Sequence, residues 1–500
     1  MFRKLLSLLI TLAPMLVLGS TGQVIRVQVK GAEGDTLYLA SYYGNKLFYA
    51  DTALADDQGK AVFEAPDGRP AGIYAVVVPG PKYFELVLNE PEVDVRTTMD
   101  DLVGDLEVVR SAENKRFIDY IRYLNEQKEK GASLRTRAEQ ERDPIRRATF
   151  EQQLKDLDQG VRSYQQELID KDPDALVARV VRMSIPVDPP QPLLPDGRVD
   201  SVGAYYAYRD HFWDHTDLTD PRIVRTPVFA NKVEEYFSKL VPQVPDTINA
   251  LTDRLVARLG DDRELFRYVV HHVTYTYETS DIMGMDAVFV HMALTYYCPR
   301  PDGKSRAWWM TDEKLDKLCE RATKMAPLVI GAQAMPLILP DTSEARWVAS
   351  HPLPEEFVVL CFWDPHCGHC KKELPELHRI YKERLQGLNA EVYAVAKATD
   401  SVLFADWKKF IREKDLDWVN VGLTHHVYEE AKKDPSKYIP RYTTLASLNY
   451  ADTYDVFSTP KVFVLDKDRR IVGKQLSPEQ IADLIERLWK RDHEGDGAGH

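Results

Sequence analysis

The sequence predicts a multidomain α+β protein with an N-terminal β-sandwich, a helical middle region and a C-terminal α/β domain. Residues 23–108 contain short runs of alternating apolar and polar side chains, separated by turn signals. Residues 109–324 carry apolar side chains at helical spacing, and residues 325–490 alternate strand-like with helix-like segments. The length of 500 residues agrees with this division, because a domain usually has about 150 residues.

The composition narrows the classes of function. The formal net charge is −13 at pH 7, so we do not expect the basic face of a nucleic-acid binder. A hydrophobic content of 44% is ordinary for a globular protein. The five cysteines are too few, and odd in number, for a disulfide-stapled fold. We therefore expect any function of the cysteines to come from their reactivity rather than from cross-linking the whole fold.

Residues 1–22 are predicted to be a secretory signal peptide. Arg3 and Lys4 precede an apolar run, Leu5–Leu18, and small residues around Gly19 follow it. The run is shorter than the roughly 20 residues that a membrane-spanning helix needs, although an uncut anchor and a buried helix are alternatives. We see no later apolar run of that length, so we expect no transmembrane segment after cleavage.

The region 23–108 is predicted to be a small antiparallel sandwich. Val24–Val29 alternates apolar and polar side chains, as a half-buried strand does. Turn signals such as Asp56–Gly59 and Pro66–Gly68 separate the runs. The further predicted strands are Thr36–Leu39, Ala61–Phe63, Ile73–Val78 and Phe84–Leu88.

The middle region, residues 109–324, is predicted to be helical. Its first part, Asn114–Asp170, is typical of a long solvated helical hairpin with a break near Asp143–Pro144. A proline-rich loop, Pro186–Pro195, follows, and more helices are predicted from residue 227 to about residue 325.

Residues 325–490 are predicted to form an α/β layer. Phe357–Trp363 is a near-continuous apolar run, which is typical of a central strand buried on both faces. Residues 491–500 are predicted to be a disordered tail. The other predicted elements are the strands Val392–Ala396 and Lys461–Leu465 and the helices Asp406–Glu413 and Pro478–Arg487.

The sequence CGHC lies between that apolar run and a predicted helix, Lys371–Glu383. At a helix N-terminus, the unsatisfied N–H groups and the positive end of the dipole favour a thiolate on Cys367. This thiolate can attack a partner disulfide, and Cys370, one turn further on, can resolve the mixed disulfide. His369 favours the thiolate further. We therefore predict Cys367 as nucleophile, Cys370 as resolving thiol and His369 as an assisting catalytic residue.

Other chemistries of this segment stay open. The two cysteines and the flanking His366 and His369 are all zinc-ligand types, but a second cysteine pair at zinc spacing is absent. Covalent haem needs C-x-x-C-H, and Lys371 in the last position excludes it. A purely structural disulfide is the remaining alternative. We predict a redox-active Cys367–Cys370 disulfide and no metal or organic cofactor.

The segment Phe362–Glu373, with the sequence FWDPHCGHCKKE, resembles the active-site segment of the thioredoxin superfamily. It is most similar to the TlpA/ResA-like extracytoplasmic thiol–disulfide oxidoreductases in the form found in Bacteroidetes. This family carries a cis-proline facing the CxxC, and Ser458–Pro460, just before the predicted strand Lys461–Leu465, matches that pattern. Residues 23–108 are similar to the β-rich domain that often precedes such modules, and the helical middle resembles the variable segment between them.

The resemblance implies a thioredoxin fold for residues 325–490 and roles for further residues. Pro460 would be the cis-proline of the catalytic site, and Thr459 would pair through its backbone with the bound substrate chain. Trp363 and His366 would also contact substrate. The resemblance further implies a periplasmic location, protein thiol or disulfide substrates and an upstream electron donor.

The sequence departs from the family pattern in the following places. Cys361 stands where the buried acid of true thioredoxins should fall, and we interpret it as a buried apolar residue rather than a third redox thiol. The proton acceptor for Cys370 is then unidentified, with Lys397 a candidate by position. Residues 424–455 look inserted, either as a lid or partner surface or as an elaborated loop.

Two further sets of residues carry weaker signals. Cys298 and Cys319 are 319 − 298 = 21 positions apart and could pair in an oxidising compartment or stay as isolated thiols. The pair His271–His272 offers metal-ligand types, but adjacent helical residues point to different faces, so we expect no shared metal site.

The sequence therefore predicts a secreted thiol–disulfide oxidoreductase that acts on protein disulfides. The resemblance favours reduction, and oxidase or isomerase activity stays open. One rival is a cell-envelope binding protein whose β domain and helices form the functional surface, with an accessory thioredoxin unit. The other rival is a copper-handling thioredoxin-like protein, although that class usually spaces its cysteines more widely.

Overall fold

The computed structural model of the protein describes residues 22–494. The predicted signal peptide lies outside the described residues apart from Gly22, and so does the predicted tail beyond Glu494. The last helix continues to Glu494, so residues 491–494 of the predicted tail are helical. Among residues 22–494, no helix has both the length and the apolar character that crossing a membrane requires.

The chain divides into two compact units. Unit one contains the residues up to Val241 together with Ala257–Tyr268, and unit two contains Pro242–Val256 together with the residues from Val269 onwards. The predicted domain boundaries after residues 108 and 324 do not coincide with this division and stay predictions.

Residues 23–110 of unit one form two β-sheets, as the predicted fold class requires. The strands are β1 (Gln23–Lys30), β2 (Thr36–Tyr43), β3 (Lys46–Leu54), β4 (Lys60–Ala65), β5 (Gly72–Val78), β6 (Lys82–Leu88), β7 (Glu92–Thr98) and β8 (Glu107–Arg110). The sheet orders are β4-β1-β7-β8 and β3-β2-β5-β6. Because β1 pairs with β7 in parallel, the expectation of a wholly antiparallel sandwich is wrong.

A long helical hairpin follows, as predicted, and consists of α1 (Ala112–Gln140) and α2 (Pro144–Lys171). Asp143 is the N-cap residue of α2: its side chain accepts a hydrogen bond from the Ile145 N–H at 2.9 Å, which starts the second helix after the break. The rings of Tyr123 and Tyr164 stack between the two helices at 4.2 Å. The helices that follow are α3 (Leu176–Ser184), α4 (Ser201–His211), α5 (Pro227–Glu235), α6 (Pro245–Ala257), α7 (Arg263–Glu278), α8 (Asp286–Met292) and α9 (Asp312–Met325).

Cys298 and Cys319 form a disulfide within unit two. Cys298 follows a short helical turn, Ala293–Tyr297, and Cys319 lies in the middle of α9. Their Cα atoms are 5.6 Å apart, which is within the usual range for a disulfide. The structure thus decides between the pairing and the isolated thiols that the sequence left open.

The remainder of unit two is an α/β layer around a mixed sheet of order β13-β12-β11-β14-β15, which confirms the predicted α/β class. Two short strands, β9 (Ile338–Pro340) and β10 (Trp347–Ala349), pair in a separate two-stranded sheet. The strands of the mixed sheet are β11 (Phe357–Trp363), β12 (Ala390–Ala398), β13 (Val419–Thr424), β14 (Lys461–Leu465) and β15 (Ile471–Lys474). Its helices are α10 (Gly368–Ile380), α11 (Ser401–Lys414), α12 (His425–Lys433), α13 (Leu445–Leu448), α14 (Tyr450–Thr453) and α15 (Pro478–Glu494).

Strand β11 lies at the centre of this sheet and every one of its residues is buried. It pairs in parallel with β12 and antiparallel with β14. Its side chains alternate between two apolar layers: Cys361 and Trp363 pack with α10 and α15, and Phe362 packs on the opposite face with Tyr454. Burial on both faces is the reason that the run carries no polar residue.

Residues 424–455, which looked inserted, are packed against β9. The Thr443 hydroxyl donates to the Ile338 carbonyl at 2.6 Å, and the Ser447 hydroxyl accepts from the Ile338 N–H at 2.9 Å. The side chains of Thr443 and Ser447 are buried. This part of the segment is therefore packed into the α/β layer.

Candidate active site

The CGHC sequence lies where β11 ends and α10 begins. Asp364 closes the turn between them, because its carboxylate accepts a hydrogen bond from the His366 N–H at 2.8 Å and its carbonyl accepts one from the Cys367 N–H at 3.0 Å. Cys367 is the N-cap residue of α10. The helix begins at Gly368, three residues before the predicted start at Lys371, so the CxxC forms the first turn itself.

Cys367 is half-buried and is the more acidic thiol of the pair. Burial raises its pKa, but hydrogen bonds from the backbone N–H groups of Cys370 and His369, and from neighbouring side chains, outweigh burial and lower the pKa overall. These N–H groups belong to the first turn of α10, where they lack helical partners. A thiol that is partly exposed and has a low pKa is suited to nucleophilic attack.

Cys370 has the opposite environment. Its side chain is buried, and burial raises its pKa to about 12. The two thiols are close enough to hydrogen-bond to each other. Cys370 therefore holds its proton at neutral pH and faces the sulfur of Cys367 from inside the protein.

Cys361 lies on β11 in the same buried layer as Cys370. It is 1% exposed, and burial raises the pKa of its thiol far above the ordinary range. The interpretation of Cys361 as a buried apolar residue is confirmed.

The Thr459–Pro460 peptide bond is cis, as the resemblance implies. Strand β14 begins directly after it, and Lys461 pairs with Phe362 near the end of β11. This antiparallel register carries Thr459 to the CxxC, although the two segments are 92 residues apart in sequence. The thiol of Cys367 lies 3.1 Å from the Thr459 carbonyl oxygen and donates to it.

The other predicted site residues, His369, His366 and Trp363, differ in exposure and in the groups that they contact. His369 is exposed in the first turn of α10. His366 is exposed, and its Nε2 lies 2.7 Å from an Asp406 carboxylate oxygen on α11. Trp363 is 1% exposed and packs on Phe410, with ring centroids 5.2 Å apart. Trp363 also lines a recess that Thr459 lines, and its predicted substrate contact stays a prediction.

Lys397, the predicted candidate, and Glu373 are two residues that could accept the proton of Cys370. Lys397 ends β12, and its Nζ lies 3.2 Å from a carboxylate oxygen of Asp364. Glu373 lies on α10 three residues after Cys370 and lines the groove that also contains Thr459. Sequence reasoning missed Glu373, although its spacing on a helix places it one turn from Cys370.

Two recesses are both lined by the segment Phe457–Thr459, which we call the ridge. The Tyr450 recess has a volume of about 470 Å³ and is also lined by Lys397 and Tyr428. The Glu373 groove has a volume of about 870 Å³ and is also lined by His369 and Pro460. Within residues 22–494, no group of three or more His, Cys, Asp or Glu side chains is arranged to hold a metal ion.

The comparison with protein families identifies the α/β layer. Residues 330–474 match the model of the AhpC/TSA family. These residues form a thioredoxin-like domain. Residues 184–321, which precede this domain, match a family described as a domain of unknown function, DUF5106.

The thioredoxin-like domain also has named relatives. It is similar to the thiol-disulfide oxidoreductase ResA of Bacillus thuringiensis, with 25% identity over 174 residues, 34% of this chain and 82% of the relative. A solved domain of a possible thiol-disulfide isomerase from Cytophaga hutchinsonii is 28% identical and has a TM-score of 0.26, covering 34% of this chain and 99% of that one. A thioredoxin-like protein from Bacteroides caccae is 15% identical and has a TM-score of 0.38, covering 60% of this chain and 99% of that one. The thioredoxin-like domain is of the thiol–disulfide oxidoreductase type.

Proposed function

We propose that the protein is a periplasmic thiol–disulfide oxidoreductase that reduces disulfides of other proteins through Cys367 and Cys370. The observation that carries this proposal is the contrast between the two thiols. Cys367 is half-buried with a lowered pKa, and Cys370 is buried with a pKa raised to about 12. This is the arrangement that an attacking thiol and a resolving thiol need.

The first step is attack by the Cys367 thiolate on one sulfur of a partner disulfide. The partner's S–S bond breaks, and a new bond forms between Cys367 Sγ and the attacked sulfur. The other partner sulfur leaves as a thiolate and takes a proton from water. The product of this step is a mixed disulfide.

The second step resolves the mixed disulfide. Cys370 gives up its proton and attacks Cys367 Sγ, the Cys367–Cys370 disulfide forms, and the second partner sulfur leaves as a thiolate. The partner gains two electrons and the protein loses two. An external dithiol donor returns the protein to its reduced state by the same exchange.

We propose that the carboxylate of Glu373, rather than Lys397, accepts the proton that Cys370 gives up. A carboxylate can accept a proton, and Glu373 lies one turn from Cys370 on the wall of the groove. Lys397 is an ammonium donor that already pairs with Asp364.

Substrate binding would use the loop before β14. The Thr459 carbonyl lies 3.1 Å from Cys367 Sγ, so a polypeptide joined to Cys367 runs beside the backbone of Thr459. We propose that Thr459 pairs with this polypeptide, that Pro460 holds the Thr459 backbone toward the sulfur, and that exposed His366 and His369 border the path.

The Cys298–Cys319 disulfide supports the proposed compartment. Disulfides persist in oxidising compartments such as the periplasm and are rare in the cytosol. The apolar run Leu5–Leu18 after Arg3 and Lys4 supports the same location.

The test is reduction of insulin disulfides by the protein with dithiothreitol as donor. We expect Cys367→Ser to lower the rate to that of dithiothreitol alone, because the attacking sulfur is lost. We expect Cys370→Ser, reduced beforehand and freed of dithiothreitol before insulin is added, to accumulate a mixed disulfide with insulin, visible as an adduct that a reductant removes. The matched control is the double variant Cys298→Ser, Cys319→Ser, which keeps the CxxC. Full activity of Cys367→Ser would contradict the proposal.

A further inference from the structure

Phe457 is exposed to a degree that is unusual for an aromatic side chain. It is 84% exposed, the largest fraction for any large apolar side chain among residues 22–494. Single exposed apolar side chains are common, but aromatic residues next to a binding site are the ones that contribute most of the binding energy in protein interfaces. Whether the exposure of Phe457 indicates a binding contact therefore depends on how near this residue lies to the reactive cysteine.

The ridge that carries Phe457 is held in place on both sides. Tyr454 is fully buried, and its hydroxyl donates to the Met335 carbonyl. Asp455 has a left-handed backbone (φ 52°), and Lys461 holds it by donating to its carbonyl and by pairing with its carboxylate. Phe457 is thus presented to solvent by a fixed backbone, which reduces the entropy lost when a partner packs on it.

Phe457 also lies on the path to the reactive sulfur. It precedes Thr459 by two residues, and the Thr459 carbonyl contacts Cys367. Phe457 lines both the Tyr450 recess and the Glu373 groove. A polypeptide attached to Cys367 that runs beside the backbone of Thr459 therefore comes within two residues of Phe457.

We propose that Phe457 is a specificity-determining residue that packs against an apolar side chain two positions from the attacked cysteine of an extended protein segment. The inference rests on the proposed function. Alternate side chains of an extended chain point to the same side, so the residues two positions before and after the attacked cysteine face the protein together with it. The lining of the Glu373 groove includes Val462, Leu476 and Pro478 as well as Phe457, which offers contacts to an apolar side chain. The contact forms before sulfur exchange and changes no bond.

The test compares three disulfides with the full chain. Two are peptides that differ in having leucine or serine two positions from the disulfide-bonded cysteine, and the third is 2-hydroxyethyl disulfide. For the wild-type protein we expect a higher kcat/KM with the leucine peptide than with the serine peptide. For Phe457→Ala we expect the leucine-to-serine ratio of kcat/KM to fall about tenfold, mainly through KM, because burial of a Phe side chain is lost. Phe457→Leu should restore most of the ratio.

The matched control is Val402→Ala on α11, which removes another exposed apolar side chain (59% exposed) of unit two. It should leave the leucine-to-serine ratio at the wild-type value. An unchanged ratio in Phe457→Ala, or an equal loss with all three disulfides, would overturn the role of Phe457. A wild-type protein that reduces none of the three in a Cys367-dependent way would instead overturn the proposed function.

Discussion

The Cys367–Cys370 pair and the Cys298–Cys319 pair lie in the same unit but have different surroundings. Cys367 and Cys370 share the first turn of α10, where the N–H groups of the helix are free to stabilise a thiolate. Cys298 follows the end of a helical turn, and Cys319 lies in the middle of α9. Neither of these two sulfurs lies at a helix N-terminus.

This difference indicates that the position of two cysteines in the fold, rather than their presence, distinguishes a redox-active pair from a structural cross-link. Cys367 and Cys370 have unequal burial and unequal acidity, so one can attack and the other can resolve. The Cys298–Cys319 bond closes a loop with a sequence separation of 21 and restricts the unfolded chain. Three experiments test this contrast, from the largest expected effect to the smallest.

The largest effect is expected in alkylation of the reduced protein by iodoacetamide. A thiolate forms as the pH rises through the pKa, so a lowered pKa makes Cys367 reactive below pH 9 and a pKa of about 12 keeps Cys370 protonated at pH 7. We expect Cys367 to react more than about a hundredfold faster than Cys370 at pH 7. Mass spectrometry of the two modified residues measures the ratio.

The control for this experiment is the same reaction in concentrated guanidinium, where both thiols are exposed and the rates should be nearly equal. Equal rates in the folded protein would remove the distinction between an attacking and a resolving thiol.

The second effect concerns stability. We expect the double variant Cys298→Ser, Cys319→Ser to lower the free energy of unfolding of unit two by about 3 kcal/mol, because the loop between these residues is no longer closed in the unfolded chain. Urea denaturation measures the loss, and the insulin assay should show wild-type reduction by the folded double variant. An unchanged denaturation midpoint would mean that this disulfide contributes nothing to stability.

The smallest effect is expected for Cys361. Cys361→Ala should lower the free energy of unfolding by about 1 kcal/mol, because it leaves a small cavity in the layer between β11 and α10. Insulin reduction should stay at the wild-type rate, and Cys361→Val should recover part of the stability. Loss of reduction as large as in Cys367→Ser would give Cys361 a redox role instead.

Much of the α/β layer was predictable from local patterns. The apolar run Phe357–Trp363 indicated a doubly buried strand, and the CxxC after it indicated a helix N-terminus. The helix starts three residues earlier than predicted, because the turn made by Asp364 allows the CGHC segment itself to be helical. The edge strand β3 was not predicted, because most of its side chains are exposed and no buried alternation marks it.

Contacts between distant segments were beyond a single sequence. A single sequence does not show that alternation along β11 places the side chain of Trp363 in the core against Phe410. Glu373 and Phe457 were overlooked because their importance depends on grooves that form only when β14 and α10 meet.

The sequence by itself determined the chemistry at the site: the residue types, the CxxC spacing and their place at a helix N-terminus are all local. Tertiary structure decided which thiol is buried, that Cys298 meets Cys319, and that Thr459 lies 3.1 Å from Cys367. The physical reason is that strand pairing and burial join residues far apart in the chain, whereas capping and helix dipoles act within one turn.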